Sequence, residues 1–275
     1  MRTHGNLIES IDSTAVGPGS LAFWWLGQHS FVLKLGSAVL YLDPYLTADA
    51  SRQVPPLLDP EEVRHASLIL GTHDHGDHID RPVWPALALA SPHARFVVPE
   101  LVRERLAREL GIPVDRFIGL DDGESAVVEG VRITGVAAAH EFLDQDRATG
   151  RYPYLGYAIS GNGCAAYHAG DCCIYEGLQR KLLERDYDVV FLPINGRDAT
   201  RLAANCIGHL PYQEAADLAG VLRPRLTIPA HFEMFAMNSE DPALFVDYMG
   251  IKYPSLAVHV PVHGARFVLE PDLGD

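Results

Sequence analysis

The first marked apolar runs of the chain are short and lie at residues 21–26, 30–35 and 38–42. Runs of this length are typical of β-strands, whereas helices need longer stretches with a period of 3.6 residues. Turn residues separate the runs, because Gly27-Gln28-His29 follows the first and Gly36-Ser37 follows the second. The pattern therefore predicts a meander of three strands at the start of the fold.

Further along, short apolar runs alternate with stretches of helical spacing. One helix is predicted to begin at Pro82, and four others are predicted at residues 100–110, 175–185, 211–222 and 242–250. Strands are predicted at residues 66–71, 95–99, 125–129, 131–136, 155–159, 164–168, 189–193, 225–229, 258–262 and 266–269. This alternation predicts the α/β class, with a long loop at residues 194–210.

Composition adds that the chain can bury a core. It has 275 residues, of which 48% are hydrophobic and 21% charged, as in ordinary globular proteins. Neither an internal repeat nor a low-complexity linker interrupts the pattern. We therefore expect a single domain over residues 1–275, in which residues 1–19 form a lead-in segment that ends at the turn Gly17-Pro18-Gly19.

Charge restricts the expected partners and location. The 22 Lys and Arg residues against 36 Asp and Glu give a net charge of −14, which repels nucleic acid and anionic membranes. No apolar run approaches the roughly 18 residues that span a bilayer, and residues 1–10 lack the apolar core of a secretory signal. We expect no nucleic-acid partner, no membrane insertion and a cytoplasmic location. The four cysteines lack Cys-x-x-Cys spacing and are expected to be reduced.

The stretch with the richest chemistry directly follows the predicted strand at 66–71. Residues 72–80 read Thr-His-Asp-His-Gly-Asp-His-Ile-Asp, with three histidines and three aspartates. Such side chains lose solvation free energy on burial unless each finds a partner. Imidazole and carboxylate groups suit a divalent metal, and a loop at a strand end leaves coordination positions open for water and substrate. The stretch therefore predicts a catalytic metal site, with a solvated polar turn as the alternative.

Four motifs resemble one known superfamily. His-x-His-x-Asp-His at residues 73–78 is the signature of the metallo-β-lactamase fold. Trp-Trp-Leu-Gly at 24–27, Tyr-His-Ala-Gly-Asp at 167–171 and Ile-Pro-Ala-His at 228–231 resemble its branch that contains L-ascorbate-6-phosphate lactonase. The resemblance implies an αββα sandwich, in which two mixed β-sheets face each other and helices cover the outer faces.

The resemblance also implies a dinuclear metal site. Its ligands would be His73, His75 and His140 for the first ion, Asp77, His78 and His231 for the second, and Asp171 as the bridge. His140, Asp171 and His231 each follow a predicted strand, as this assignment requires. We expect two divalent ions, zinc or manganese, with iron also accepted by such ligands. A water shared by two such ions becomes a hydroxide nucleophile near neutral pH.

Residues for substrate binding are expected mainly in the loop 194–210, because it follows a strand at the end of the sheet where the ligands lie. The candidates are Asn195, Arg197, Arg201, His209 and, on the strand before Asp171, His168. Guanidinium groups offer paired donors to phosphate or carboxylate, although both arginines also fit a surface role in an acidic protein. His168 either reaches the pocket or supports Asp171. Asp43 and Thr72 are expected to hydrogen-bond metal-ligating imidazoles.

Together these features predict a metal-dependent hydrolase of a small anionic lactone or ester, with a sugar-acid phosphate lactone as the substrate that the resemblance implies. Asp77 and Asp171 are the candidate catalytic residues. A metal-dependent phosphodiesterase of the same fold is the alternative, followed by a non-catalytic scaffold, which would be expected to lack some ligands. Leu7, Ile8 and Ile11 of the lead-in segment offer an apolar surface for a homo-oligomer.

Overall fold

Thirteen strands form two mixed β-sheets in the computed structural model, which describes residues 5–272, so that residues 1–4 of the predicted lead-in segment lie outside the described part. The first six strands are β1 (Leu21–Gly27), β2 (Ser30–Leu35), β3 (Ala38–Leu42), β4 (Leu68–Leu70), β5 (Arg95–Pro99) and β6 (Phe117–Leu120). The next six are β7 (Ser125–Val128), β8 (Val131–Ala137), β9 (Leu155–Gly161), β10 (Cys164–His168), β11 (Val189–Pro193) and β12 (Leu226–Ala230), and the last is β13 (Arg266–Leu269). The strand orders are β13-β1-β2-β3-β4-β5-β6 and β12-β11-β10-β9-β8-β7.

Seven helices accompany the sheets in the described residues. They are α1 (Gly5–Ser13), α2 (Trp84–Ala90), α3 (Glu100–Leu110), α4 (Leu178–Leu182), α5 (Ala199–Ala203), α6 (Tyr212–Leu222) and α7 (Pro242–Lys252). Short 3₁₀ turns occur at Pro60–Glu62 and Val114–Arg116. Among these helices none has the length and apolar character that a membrane span requires.

The two sheets pack face to face through alternate residues of their strands. On β1, Phe23 belongs to the core between the sheets, and its ring lies 5.4 Å from that of Phe191 on β11. The next residue, Trp24, points to the opposite face of the first sheet and joins the core beneath α1, α2 and α3. Because both faces are covered, every residue of β1 is buried. Helix α6 packs on the second sheet and α7 packs on α6, so the predicted αββα sandwich is confirmed.

Two predictions about the elements were wrong, and one helix was not predicted. The predicted strand 258–262 makes only an isolated bridge between Val258 and Thr227, since Pro261 has no N–H to continue the ladder. The predicted loop 194–210 contains α5. The lead-in segment, for which no element was predicted, contains α1, whose Leu7 and Ile11 are buried beside Trp24 of the same chain. The surface on which a homo-oligomer was expected is therefore covered largely by the chain itself.

The sheet topology brings several strand ends to the same edge. Strands β3 and β4 run parallel, and so do β10, β11 and β12, while β8 has the same direction as β10 because each is antiparallel to β9. The residues that follow these strands therefore meet at one edge of the sandwich, where ligands usually bind in parallel sheets.

Candidate metal centre

Asp43, directly after β3, anchors the loop that follows β4. Its two carboxylate oxygens accept hydrogen bonds from the Thr72 backbone N–H at 2.7 Å and from the Thr72 hydroxyl at 2.8 Å. The backbone of Asp43 has a positive φ of 44°, which is uncommon for a residue other than glycine and typical of functional sites. Asp43, at the end of the neighbouring strand β3, thus fixes the start of the loop of residues 72–80, which is called the metal loop below.

The same carboxylate orients two imidazoles. Asp43 Oδ2 lies 2.7 Å from His78 Nδ1 and 3.0 Å from His168 Nε2, and all three side chains are fully buried. Burial would raise the pKa of Asp43, but His78 and His168 outweigh it and hold the pKa well below its usual value. Since His78 donates from Nδ1, its Nε2 is left for the cluster of side chains described next. The imidazole of His168 thus contacts Asp43, and among the described residues it forms no ion pair with Asp171.

Asp171 lies at the centre of a cluster of imidazoles. Its Oδ2 is 3.2 Å from His78 Nε2, 3.7 Å from His140 Nε2 and 3.8 Å from His73 Nε2. The same oxygen is 3.4 Å from His209 Nε2, and Oδ1 is 3.3 Å from His231 Nε2. One buried carboxylate is therefore surrounded by five histidines, which come from the ends of β4, β8 and β12 and from the loop that carries His209.

The structure brings each predicted ligand set together. Ligand atoms within 4.8 Å of one another are offered by four groups: His73 with His75 and His140, Asp77 with His78 and His231, His73 with His78 and Asp171, and His140 with Asp171 and His209. Two buried atoms of the cluster, His78 Nε2 and Asp171 Oδ1, have no hydrogen-bond partner among the described residues. Nitrogen lone pairs and carboxylate oxygens that converge without partners are a donor set for zinc, manganese or iron, so the residues fit a metal site.

The electrostatics of the cluster favour a cation. Burial lowers the pKa of His140 to about 4 and lowers that of His73 well below its usual value, so both imidazoles are neutral and can act as ligands. Burial would also lower the pKa of His78, but the carboxylates of Asp171 and Asp43 raise it well above its usual value. Positive charge is thus stabilised where the predicted ligands meet.

Two other aspartates of the metal loop have structural partners. Asp74 forms ion pairs with Arg81, at 2.6 Å, and with Arg105. Asp80 accepts hydrogen bonds from the backbone N–H groups of Leu46 and Thr47 at 2.8 and 2.7 Å. Asp80 therefore fixes the loop after β3, while Asp77 alone among the three joins the histidines.

His209, predicted as a substrate-binding residue, lies inside the cluster. Its Nε2 is 3.3 Å from His140 Nε2, and its side chain is 1% exposed. Asn195 Nδ2 lies 3.1 Å from His209 Nδ1 and also donates to Asn238 Oδ1 at 2.6 Å. An amide N–H at Nδ1 leaves the histidine proton on Nε2, which faces the centre. Asn195 therefore orients His209 rather than lining an open surface.

The two arginines have other partners. Arg201 donates to the backbone carbonyls of Met237 and Ser239 and to the Asp198 carboxylate, at 3.0, 2.5 and 2.9 Å. Arg197 donates to the His209 carbonyl at 3.0 Å and pairs with Glu214 at 2.7 Å. Among the described residues, neither guanidinium forms a hydrogen bond or ion pair with a side chain of the histidine cluster.

Gln28 is a site residue that the sequence did not indicate. It lies in the β1–β2 turn with a positive φ of 53°, and its side chain is fully buried. Its Nε2 is 3.0 Å from Asp77 Oδ2 and 3.0 Å from His231 Nε2, while its Oε1 has no hydrogen-bond partner among the described residues. In the sequence, the one indication of its role was its position in a predicted turn, directly after the Trp-Trp-Leu-Gly motif.

Comparison with known proteins agrees with this geometry. Residues 39–232 match the model of a family described as "Beta-lactamase superfamily domain". A UPF0173 metal-dependent hydrolase of Pyrococcus abyssi is 28% identical over 230 residues, which cover 83% of this chain and 92% of that protein. A second, from Thermococcus onnurineus, is 29% identical over 231 residues with the same coverage. The resemblance to the lactonase branch stays a prediction.

Solved structures show the same fold. Igni18, described as a novel metallo hydrolase from Ignicoccus hospitalis, superposes with a TM-score of 0.70 at 20% identity, covering 92% of this chain and all of that one. A possible metal-dependent hydrolase from Veillonella parvula gives a TM-score of 0.68 at 12% identity, covering 93% of this chain. The chain has the metallo-β-lactamase fold, and by its family match it belongs to the β-lactamase superfamily domains.

Proposed function

We propose that residues 1–275 form one hydrolase domain that holds two divalent metal ions and cleaves an ester or lactone bond. The observation that carries the proposal is the buried Asp171 carboxylate, with five imidazole nitrogens within 3.8 Å of its oxygens. The relatives from Pyrococcus and Thermococcus, matched over most of their length, are named metal-dependent hydrolases, which supports the same reading.

Each predicted ligand keeps its role in this proposal. The first ion would be held by His73, His75 and His140, the second by Asp77, His78 and His231, with Asp171 shared between them. Zinc, manganese or iron in such a site lowers the pKa of a coordinated water and polarises a substrate carbonyl. Asp43 holds the His78 ring in position from behind, which supports its orientation toward the ions.

The two candidate catalytic carboxylates differ in access. Asp171 is 4% exposed and lies at the centre, where it would be shared by both ions. Asp77 is 24% exposed and reaches a cavity at the protein surface, so it can accept a proton as the nucleophile attacks. His209 carries its proton on Nε2 at the cluster, and we assign it as the hydrogen-bond donor to the oxyanion that develops on the substrate carbonyl.

The anionic tail expected from the sequence finds less support. Arg197 and Arg201 were its proposed partners, and their guanidinium groups already pair with Glu214, Asp198 and backbone carbonyls. The proposal therefore leaves both arginines out of the substrate site. The bond proposed to be cleaved remains an ester or lactone, because metals held by the cluster would activate a water and His209 would donate to the oxyanion.

Metal analysis and a substrate panel test the proposal together. Purified protein should contain two metal ions per chain and hydrolyse simple γ-lactones or p-nitrophenyl acetate faster than bis(p-nitrophenyl) phosphate. His209→Gln should keep both ions and lower kcat by about a hundredfold, as loss of an oxyanion donor does elsewhere. Hydrolysis of the phosphodiester alone would support the phosphodiesterase instead. Fewer than two ions, or two ions without any hydrolysis, would contradict the proposal.

A further inference from the structure

A cavity of about 550 Å³ opens beside the metal centre, and of the loop 194–210, in which substrate residues were expected, Cys206 is the residue that lines it. Gly76 and Asp77 of the metal loop form one side of it, and Tyr45, Phe235 and Met237 form much of the rest. Its volume lies within the range of small-molecule binding sites. A compact lactone bound at the histidines would leave most of this space open.

Three large side chains of the lining, those of Tyr45, Phe235 and Met237, form an apolar wall. The rings of Tyr45 and Phe235 lie 6.1 Å apart, and Met237 is 52% exposed although it is a large apolar side chain. Exposed apolar groups gathered in a concave site usually contact a ligand. Aromatic rings with a flexible thioether favour aliphatic or aromatic groups over sugars with many hydroxyls.

The charge of the lining opposes an anion. Three carboxylates, those of Asp49, Asp77 and Asp80, line the cavity, and of the described residues no lysine or arginine does. The guanidinium of Arg52 stacks on Tyr45 at 4.6 Å, but it donates to the backbone carbonyls of Tyr45 and Thr47. Asp80 is 1% exposed and Asp77 is a proposed metal ligand, so the exposed carboxylate of Asp49 is the like charge that a negatively charged tail would meet, without an ion-pair partner in the lining.

Hydrogen bonds hold the apolar wall in place. Arg201 donates to the carbonyls of Met237 and Ser239, and the Gln53 backbone N–H donates to the Met234 carbonyl at 2.8 Å. Asn195 joins this wall to the cluster, because it donates both to Asn238 and to His209. The segment that carries Phe235 and Met237 is thus fixed before any ligand arrives, which lowers the entropic cost of binding.

We propose that this cavity binds an uncharged, apolar part of the substrate, an alkyl or acyl chain, while the scissile bond lies at the histidines. The inference rests on the proposed hydrolase function, and it replaces the anionic tail with an apolar one. In it, Arg201 is a positioning residue that holds the apolar wall and does not contact the substrate.

A series of γ-lactones measures the effect directly on the metal-loaded enzyme. With methyl, pentyl and nonyl side chains, kcat/KM should rise by about threefold for each methylene that enters the cavity. A hydroxymethyl lactone should be hydrolysed at least tenfold better than its phosphorylated counterpart. Failure of every lactone and of p-nitrophenyl acetate would contradict the hydrolase function. Turnover that is independent of chain length would contradict the apolar cavity alone.

Variants of the wall sharpen the test. Met237→Lys should lower kcat/KM for the nonyl lactone at least tenfold more than for the methyl lactone, and should raise it for the phosphorylated one. Ile251→Lys is the matched control, because Ile251 is 85% exposed on α7 and is not part of the cavity lining. Both variants should hold the same metal content. Equal changes in the two variants would overturn the inference.

Calorimetry supplies a readout without turnover. Acetohydroxamate and decanohydroxamate both chelate metals and differ only in chain length. The dissociation constant should fall at least thirtyfold from the short to the long compound in the metal-loaded wild type, and clearly less in Met237→Lys. Equal affinities of the two hydroxamates for the wild type would overturn the assignment of the cavity even if no lactone were a substrate.

Discussion

At the scale of single residues, Asp171 differs from every other side chain of the cluster, because its carboxylate lies where both predicted ligand sets meet. Burial would raise its pKa, but His209, His231 and His78 outweigh burial and hold the pKa well below its usual value. The group therefore stays ionised within the folded protein. An ionised, buried carboxylate at the meeting point of both ligand sets is suited to bind two cations.

Replacing this carboxylate should empty the site. We expect Asp171→Ala to lose most bound metal and to reduce hydrolysis by about a hundredfold or more, because both ions share the residue. Plasma mass spectrometry of the purified variant gives the metal content. Asp74→Ala is the control, since Asp74 belongs to the same loop but pairs with Arg81 and Arg105. Two ions and full turnover in Asp171→Ala would refute the assignment.

Gln28 should affect one ion more than the other. Its amide donates to Asp77 and lies beside His231, both predicted ligands of the second ion. Loss of such an orienting hydrogen bond lowers metal affinity by about tenfold. Competition with a fluorescent chelator should show this loss for one of two ions in Gln28→Ala. Gln53→Ala, which removes an exposed glutamine side chain, should bind both as the wild type does. A uniform loss for both ions would contradict this role.

Residue type and position were enough to indicate the ligands but not their surroundings. His73, His78 and Asp171 follow strands that the apolar pattern makes visible, and the structure brings them together. The partners of Arg201 could not be predicted, because they are backbone carbonyls 36 and 38 residues further along the chain. The role of Gln28 could not be predicted for a related reason, since its burial depends on a turn conformation with positive φ.

At the scale of elements, the strand ends define the site, and glycine makes their close approach possible. Strands β1 to β5 and β7 to β12 lie near their predicted positions, because their apolar runs are bounded by turn residues. The pairing of β13 with β1 was not predictable, since it joins residues about 245 positions apart, such as Leu21 and Leu269. Register between distant strands depends on packing rather than on local sequence.

Gly170 connects β10 to Asp171 and should not tolerate a side chain. Its φ is +60°, and a Cβ there would lie 2.9 Å from the Leu155 carbonyl and 2.9 Å from Thr72 Cβ. We expect Gly170→Ala to lower the free energy of unfolding by about 2 to 4 kcal/mol, through backbone strain and overpacking. Urea denaturation measures the change.

Gly111 provides the control for backbone strain. Its φ is +65°, but a Cβ added there meets nothing within 4 Å. Gly111→Ala should therefore cost only about 1 kcal/mol, the conformational part alone. If the two variants lost equal stability, the contacts of Gly170 with Leu155 and Thr72 would carry no weight.

At the scale of the whole molecule, acid should destabilise the fold through histidines that are buried in neutral form. His263 shows the effect outside the metal centre, where its ring stacks on Trp25 at 4.0 Å. Burial, with a smaller effect of Arg52, lowers the pKa of His263 to about 4 from a usual value of 6.5. Between these two pH values the unfolded chain binds a proton that the folded protein does not, so stability falls as pH falls.

The contribution of His263 can be separated by substitution. At pH 5 it should lower the free energy of unfolding by about 1 kcal/mol relative to pH 7, after allowance for the partial exposure of the ring. His263→Gln should therefore lose less stability than the wild type between pH 7 and pH 5. Urea denaturation at both values, with equal metal content, gives the comparison. Parallel losses in the two proteins would show that His263 does not take up this proton.

Most metal ligands and most residues of the cavity lining lie on different segments, and this separation affects how the protein can evolve. All the residues that line the cavity lie outside helices and strands, and apart from Asp77 none of them is a proposed metal ligand. Substitutions at Phe235 or Met237 can therefore alter which molecules fit without disturbing the inherited catalytic apparatus. A saturation library at these two positions should yield many folded, metal-loaded variants with new preferences, and one at His78 and Asp171 should yield almost none.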